Sequence, residues 1–174
     1  MAGYPLKLAG PISDPDYFLR EVAPRLGERT TYVGHLEQRE LACLVGGAAA
    51  ALATPLWDEP YGLVVAEALA CGTPVAAFAR GGIPEIVSSD SGVLVPPGDV
   101  RALAEAVARA TELPRAGVRA HAERHCSART MVDAYIELYR DMIGASVIHL
   151  RDRHRHLTGS RTQTSARALT ADCR

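Results

Sequence analysis

The sequence predicts an α/β fold, an open parallel sheet flanked by helices, held in one domain over residues 1–144. Five short apolar runs alternate with helical stretches along the chain. Those runs are too apolar to leave one face in water, which is the mark of strands covered on both sides. The 174 residues are 48% apolar and 22% charged, so one globular domain is expected and no staple is needed.

Element by element, PLKLAG at 5–10 predicts the first strand, and Asp14 to Leu26 a helix with Pro15 at a first-turn position. RTTYVG ends a second strand near Gly34, EQRELACLV gives a helix, and AAALATP around 48–54 a third strand. A helix follows from Gly62 to Ala70, then the strand PVAAFA, a short helix from Ile83 to Val87, and the strand GVLVP at 92–96. Helices are predicted at 99–110 and 115–125, and a last one from Ser127 or Ala128 to about Met142. Met131, Ala134, Tyr135, Leu138 and Met142 form an apolar stripe on that helix, which must pack on something. Residues 145–174 carry six Arg and two Asp and are expected to be a disordered tail.

Composition narrows the function. A net charge of -1 gives no general attraction to nucleic acid or acidic lipid. The longest uncharged run, Leu41 to Trp57, is Ala- and Gly-rich and too short to span a membrane. The N-terminus lacks the apolar core of a secretory signal, and Cys43, Cys71, Cys126 and Cys173 are scattered, so a cytoplasmic location is expected. His121 and His125 stand four apart without a third ligand, and no metal is expected. Neither a GxxxxGK[ST] loop, a GxGxxG fingerprint nor a GxSxG elbow occurs.

Chemistry concentrates in LWDEPYGLVVAEALACGTPVAAFARGGIPEI. Between Glu59 and Arg80 the only charged residue is Glu67, and Leu63, Val64, Ala70 and Cys71 lie one turn from it. The helix shows no evident solvated face, so Glu67 either emerges at an edge or is met by donors such as a ligand's hydroxyls. Glu59 lies eight positions earlier, in a loop after a parallel strand, where such sheets bind ligands. The amides of Tyr61, Gly62 and Leu63 near the helix start favour an anion such as phosphate, and Gly62 permits close approach. Two glutamates would repel a phosphate, so their targets are neutral sugar and ribose hydroxyls. Arg80 reads as an exposed arginine or an anion contact, Glu85 as a capping residue after the Gly81–Gly82 turn, and His35 as a loop residue on the ligand-facing rim.

These stretches, with YVGHLEQREL and GVLVPPGD, resemble the C-terminal half of family 4 retaining glycosyltransferases of the two-domain GT-B architecture. Glu59 and Glu67 match the EX7E motif and EPYG its E-P-[FY]-G form, and the resemblance covers about residues 4–142. It implies a Rossmann-like domain binding a nucleotide-diphosphate sugar, with no cofactor and no catalytic metal. Glu59, the candidate catalytic residue, would hold the donor-sugar hydroxyls near the reacting carbon, Glu67 the ribose, and the amides around Tyr61, Gly62 and Leu63 the sugar and diphosphate. Gly10 resembles the family's glycine after its corresponding strand, and Val33, Gly34, His35 and Leu36 the stretch lining the base. The family's N-terminal acceptor domain and its G-R-x-x-x-x-K-G segment have no counterpart here, and Lys7, the sole lysine, lies within a strand. The implied function is a donor-binding module that transfers sugar with retention when complete, partnered by a separately encoded N-terminal domain. The alternative is a non-catalytic nucleotide-sugar-binding or assembly remnant.

Overall fold

A computed structural model describes the backbone of residues 3–159 and the side chains of residues 3–144. The chain divides into two compact units, Met1–Ser127 and Ala128–Arg174. In the first unit, the five strands β1 (Leu6–Leu8), β2 (Thr30–Tyr32), β3 (Ala51–Ala53), β4 (Val75–Phe78) and β5 (Gly92–Val95) pair only in parallel. The alternation of strand and helix follows the sequence, but the expected single sheet is interrupted. β1 pairs with β2, and separately β3–β4–β5 form a second sheet. Strand order depends on which distant segments pair, and local apolar patterning cannot supply it.

The core sits around β4, whose alternate residues are buried on opposite faces. Val75 and Ala77 pack with Val65, Leu69, Ile83 and Val118, on α3 (Leu63–Ala70), α4 (Ile83–Ile86) and α6 (Arg115–His125). Ala76 and Phe78 pack with Leu103, Ala106 and Ala110 of α5 (Val100–Ala110). Asp99 caps α5 by accepting from the Ala102 N–H at 2.8 Å. By contrast, β1, β2 and the helices beside them contain no buried residue. Proline in place of the usual N–H donor helps explain why the stretch after Asp14 is not the regular helix expected. It winds as a short α1 (Pro15–Tyr17), a π-turn at Phe18–Val22 and a 3-10 turn at Ala23–Arg25 that contains Pro24. α2 (Gln38–Gly46) begins with a capping box between Glu37 and Glu40.

The second unit is α7 (Ala128–Gly159). The sequence places its end near Met142 and a disordered tail from residue 145. Instead the helix continues, because 128–159 hold no proline and Gly144 alone is too mild a breaker to stop it. The rest of the expected tail, with Cys173, lies outside the described residues. Met131, Tyr135, Leu138 and Met142 are exposed on α7, as are Val132, Ile136, Tyr139 and Ile143. Among the described residues no helix is long and apolar enough to cross a membrane.

Candidate functional site

The loop after β3 carries Trp57, Asp58 and Glu59 into the start of α3. Glu59 is half-buried, and Trp57 Nε1–H donates to its Oε2 at 3.1 Å. Its carbonyl accepts from the Gly82 N–H at 2.7 Å, so the loop after β4 clasps the loop after β3. The glycines there are required sterically. A Cβ on Gly81 would overlap the Glu59 carbonyl oxygen, and one on Gly82 that of Pro60. Arg80 Nε–H closes the clasp on Asp58 Oδ1 at 3.1 Å, so the arginine read as exposed or anion-binding is in fact paired.

Gly62 is the N-cap of α3 with φ 91°, a conformation glycine adopts without strain, and no side chain caps this helix. A side chain at Gly62 would press on Ile83, 3.2 Å away. The first amides to find partners are Val65 and Ala66, both on the Gly62 carbonyl, so those of Leu63 and Val64 bond nothing among the described residues. Two open N–H groups and the positive end of an eight-residue helix thus stand beside Glu59 in sequence.

Glu67 is exposed, so its carboxylate stands at the outer edge of α3 rather than buried among its apolar neighbours. The expectation that α3 has no solvated face is corrected. Val65, Ala66, Ala68 and Leu69 are buried, while Leu63, Val64, Glu67 and Ala70 share the outer face, and Leu63 and Val64 are each 68% exposed. Apolar residues were read as buried, and here two of them are not.

Tyr61 is partly exposed and lies near enough to Cys126 for each to perturb the other's titration, a neighbour the sequence gave no sign of. Partial burial raises the Tyr61 pKa above its ordinary 10.0, and the thiol raises it further. Burial likewise raises Cys126, against the opposing effect of the nearby Tyr61 hydroxyl. Both stay protonated at neutral pH.

The other sequence candidates gather at the carboxyl ends of β1 and β2. The Gly10 N–H donates to the Gly34 carbonyl at 2.9 Å, and Tyr32 O–H to the Gly10 carbonyl at 2.6 Å. Gly10 and Gly34 have φ 140° and 83°. Val33 and Leu36 are half-buried and His35 is exposed. His121 is structural: it is buried, with Nε2–H donating to the Ile86 carbonyl at 2.9 Å and its ring 4.7 Å from that of His125. No cluster able to hold a metal ion occurs among the described residues.

Parallel strands, loops at their carboxyl ends and flanking helices make an α/β Rossmann-like fold, consistent with a half-domain of GT-B type. The chain belongs to the family Glycosyl transferases group 1, whose pattern matches residues 7–125. It is 42% identical over 105 residues to a D-inositol 3-phosphate glycosyltransferase of Saccharomonospora viridis, covering 56% of this chain and 24% of that protein. It is 37% identical over 119 residues to a glycogen synthase of Mycobacterium tuberculosis, covering 67% and 28%. Among solved structures, AviGT4, a glycosyltransferase involved in avilamycin A biosynthesis, superposes with TM-score 0.68 at 33% identity, over 82% of this chain and 45% of that one. The sucrose-phosphate synthase of Thermosynechococcus elongatus superposes with TM-score 0.66 at 32% identity, over 80% and 39%. The chain thus spans about a quarter of these curated relatives and under half of these solved chains.

Proposed function

We propose that this chain is the donor-binding, C-terminal half of a retaining GT-B glycosyltransferase, acting in the cytoplasm with an N-terminal acceptor domain. Glu59 accepts hydrogen bonds from the donor-sugar hydroxyls and Glu67 from the ribose. The open amides of Leu63 and Val64, with Tyr61 and Gly62, receive the diphosphate, and Gly10 with Val33 to Leu36 line the base. Departure of the nucleoside diphosphate needs charge stabilisation that the helix start supplies only in part. Transfer by the chain alone is therefore expected to be slow.

The observation that carries this reading is the uncapped start of α3 between two glutamates eight residues apart, the first held by Trp57 and the Gly82 amide. Calorimetric titration with UDP-, GDP- and ADP-glucose tests it. One nucleotide should be preferred, and Glu67→Ala should weaken it at least about tenfold, the worth of a hydrogen-bonded charge. Because Glu67 is exposed, that variant should keep wild-type stability to within about 0.5 kcal/mol. A folded wild type that binds none of the three would defeat the proposal.

A second reading, a non-catalytic assembly module, draws on the exposed apolar residues of α7. Such a module would bind a partner domain yet be indifferent to loss of both glutamates.

A further inference from the structure

We infer that the open face of Trp57 is a stacking platform for a pyranose ring, and that the acceptor of the transferred sugar is itself a neutral saccharide. The role as acceptor rests on the donor reading above; the platform itself does not.

Exposure is the first ground. Trp57 is 64% exposed and Leu56 beside it 79%, although burial of apolar surface is favourable. A single exposed leucine is ordinary on a protein surface, but an indole is large and highly buried on average. Among the described residues no aromatic ring pairs with Trp57 either.

Fixation is the second. A side chain on a loose loop must be ordered by its ligand, which weakens binding. Here the loop after β3 is fastened twice to the loop after β4, by the Gly82 N–H on the Glu59 carbonyl at 2.7 Å and by Arg80 Nε–H on Asp58 Oδ1 at 3.1 Å. The indole Nε1–H is itself bonded to Glu59 Oε2 at 3.1 Å. The one polar edge of the ring is thus satisfied within the protein, and what it offers a partner is an apolar face.

The neighbouring groups identify that partner. An indole face is electron-rich, and the C–H bonds on one side of a pyranose meet it well, while the sugar's hydroxyls project around the ring. Groups that match hydroxyls adjoin Trp57 in the loop. Asp58 and Glu59 follow it directly, and each keeps one carboxylate oxygen that bonds nothing among the described residues. Arg80 keeps both Nη groups open in the same way. A lipid chain would leave these groups unpaired, and two carboxylates against one guanidinium disfavour an anionic ligand. Because the indole is tied to the carboxylate that holds the donor sugar in the reading above, a saccharide stacked on it lies beside that sugar. A hydroxyl nucleophile is needed there.

The chain has one tryptophan, so the 15N-labelled protein gives one indole N–H peak, and that peak reports on the platform. The probes are the methyl pyranosides of glucose, mannose and galactose, with cyclohexanol as a six-membered ring that lacks their set of hydroxyls. At least one glycoside should shift the indole peak saturably, with millimolar affinity, and cyclohexanol should not. In saturation-transfer NMR the same glycoside should keep its signal with Trp57→Phe, which retains a ring, and lose it with Trp57→Ala. Both variants should keep the wild-type backbone spectrum, because the side chain they replace is exposed. Prior saturation with a nucleotide-sugar should leave the glycoside response in place. The inference is overturned by an indole peak that no glycoside moves, by an equal shift with cyclohexanol, or by an undiminished signal with Trp57→Ala. It is also overturned if nucleotide-sugar displaces the glycoside while the nucleoside diphosphate does not, since the platform then serves the donor's own ring. A chain that responds to glycoside yet binds no nucleotide would defeat the donor reading and keep the platform.

Discussion

The indole Nε1–H of Trp57 points to Glu59 Oε2 at 3.1 Å, two residues along the same loop. One carboxylate oxygen is thereby engaged and its orientation fixed, leaving the other open to the hydroxyl of the proposed donor sugar. Trp57 is the only tryptophan in the chain and is 64% exposed, so its fluorescence reports on this carboxylate. Adding a nucleotide-sugar should shift the emission more than adding the nucleoside diphosphate alone. Trp57→Phe keeps an aromatic ring but loses the donor, and should weaken the nucleotide-sugar about fivefold, about 1 kcal/mol, while leaving the diphosphate affinity unchanged. Equal loss for both ligands would show that the indole does not act through Glu59.

The turn that clasps Glu59 depends on absent side chains. Gly81 has φ 57°, and a Cβ there would overlap the Glu59 backbone, whose nitrogen lies 2.5 Å from that position. Gly98 has φ 82° with nothing within 4 Å. Both alanine variants bear the cost of a left-handed backbone, about 1 kcal/mol, but only Gly81→Ala adds steric overlap, worth about 1–3 kcal/mol more. Urea unfolding should separate them by that margin, and equal midpoints would show that the loops are free to part. The Arg80–Asp58 pair on the same clasp is largely exposed, so Arg80→Ala should cost no more than about 1 kcal/mol.

What sequence could and could not disclose divides along the range of the interactions. The strands around Leu8, Tyr32, Leu52, Ala76 and Leu94 and the helix that follows Asp99 were legible because apolar runs and their periodicity act within a few residues. The isolation of Glu67 between Glu59 and Arg80 was legible as a charge pattern, and the helix from about Gly62 from the run that follows it. Hidden were the split between β1 and β3, the exposure of Leu63 and Val64, and the contact of Tyr61 with Cys126, 65 positions away. Each depends on which distant segment lies alongside, and no period or propensity encodes that. Trp57 gave a local signal, an indole donor two residues before a carboxylate, that the reading passed over.

Arg115 ties the two ends of the second sheet's surroundings together. Its guanidinium donates to the carbonyls of Ala48 and Gly46 at 2.7 and 2.6 Å and to Thr73 Oγ1 at 2.9 Å. Thr73 is fully buried and itself donates to the Val45 carbonyl at 2.8 Å. The planar fork thus satisfies the end of α2 and the approach to β4 together, which a lysine cannot do. Arg115→Ala should destabilise the chain by about 2 kcal/mol and Arg115→Lys by about half of that, measured by thermal unfolding. A lysine variant as stable as wild type would reduce the contact to simple charge.

The Tyr61–Cys126 contact makes stability depend on pH in a defined direction. Both groups are neutral acids whose pKa is raised on folding, first by burial, so the unfolded chain releases these protons before the folded one does. Their contribution is complete below the unfolded thiol value of 9.0. It declines as pH rises beyond that, with tyrosine adding to the decline past 10.0. Cys126→Ala removes the thiol and leaves Tyr61 the only raised group of the two. Thermal midpoints measured from pH 7 upward should therefore be flat to about pH 9, then fall more steeply in wild type than in Cys126→Ala. The same raised pKa makes the thiol a poor nucleophile at neutral pH. Exposed Cys43 should accordingly react with a thiol reagent well before Cys126 in the folded chain, and faster labelling of Cys126 would contradict its burial against Tyr61.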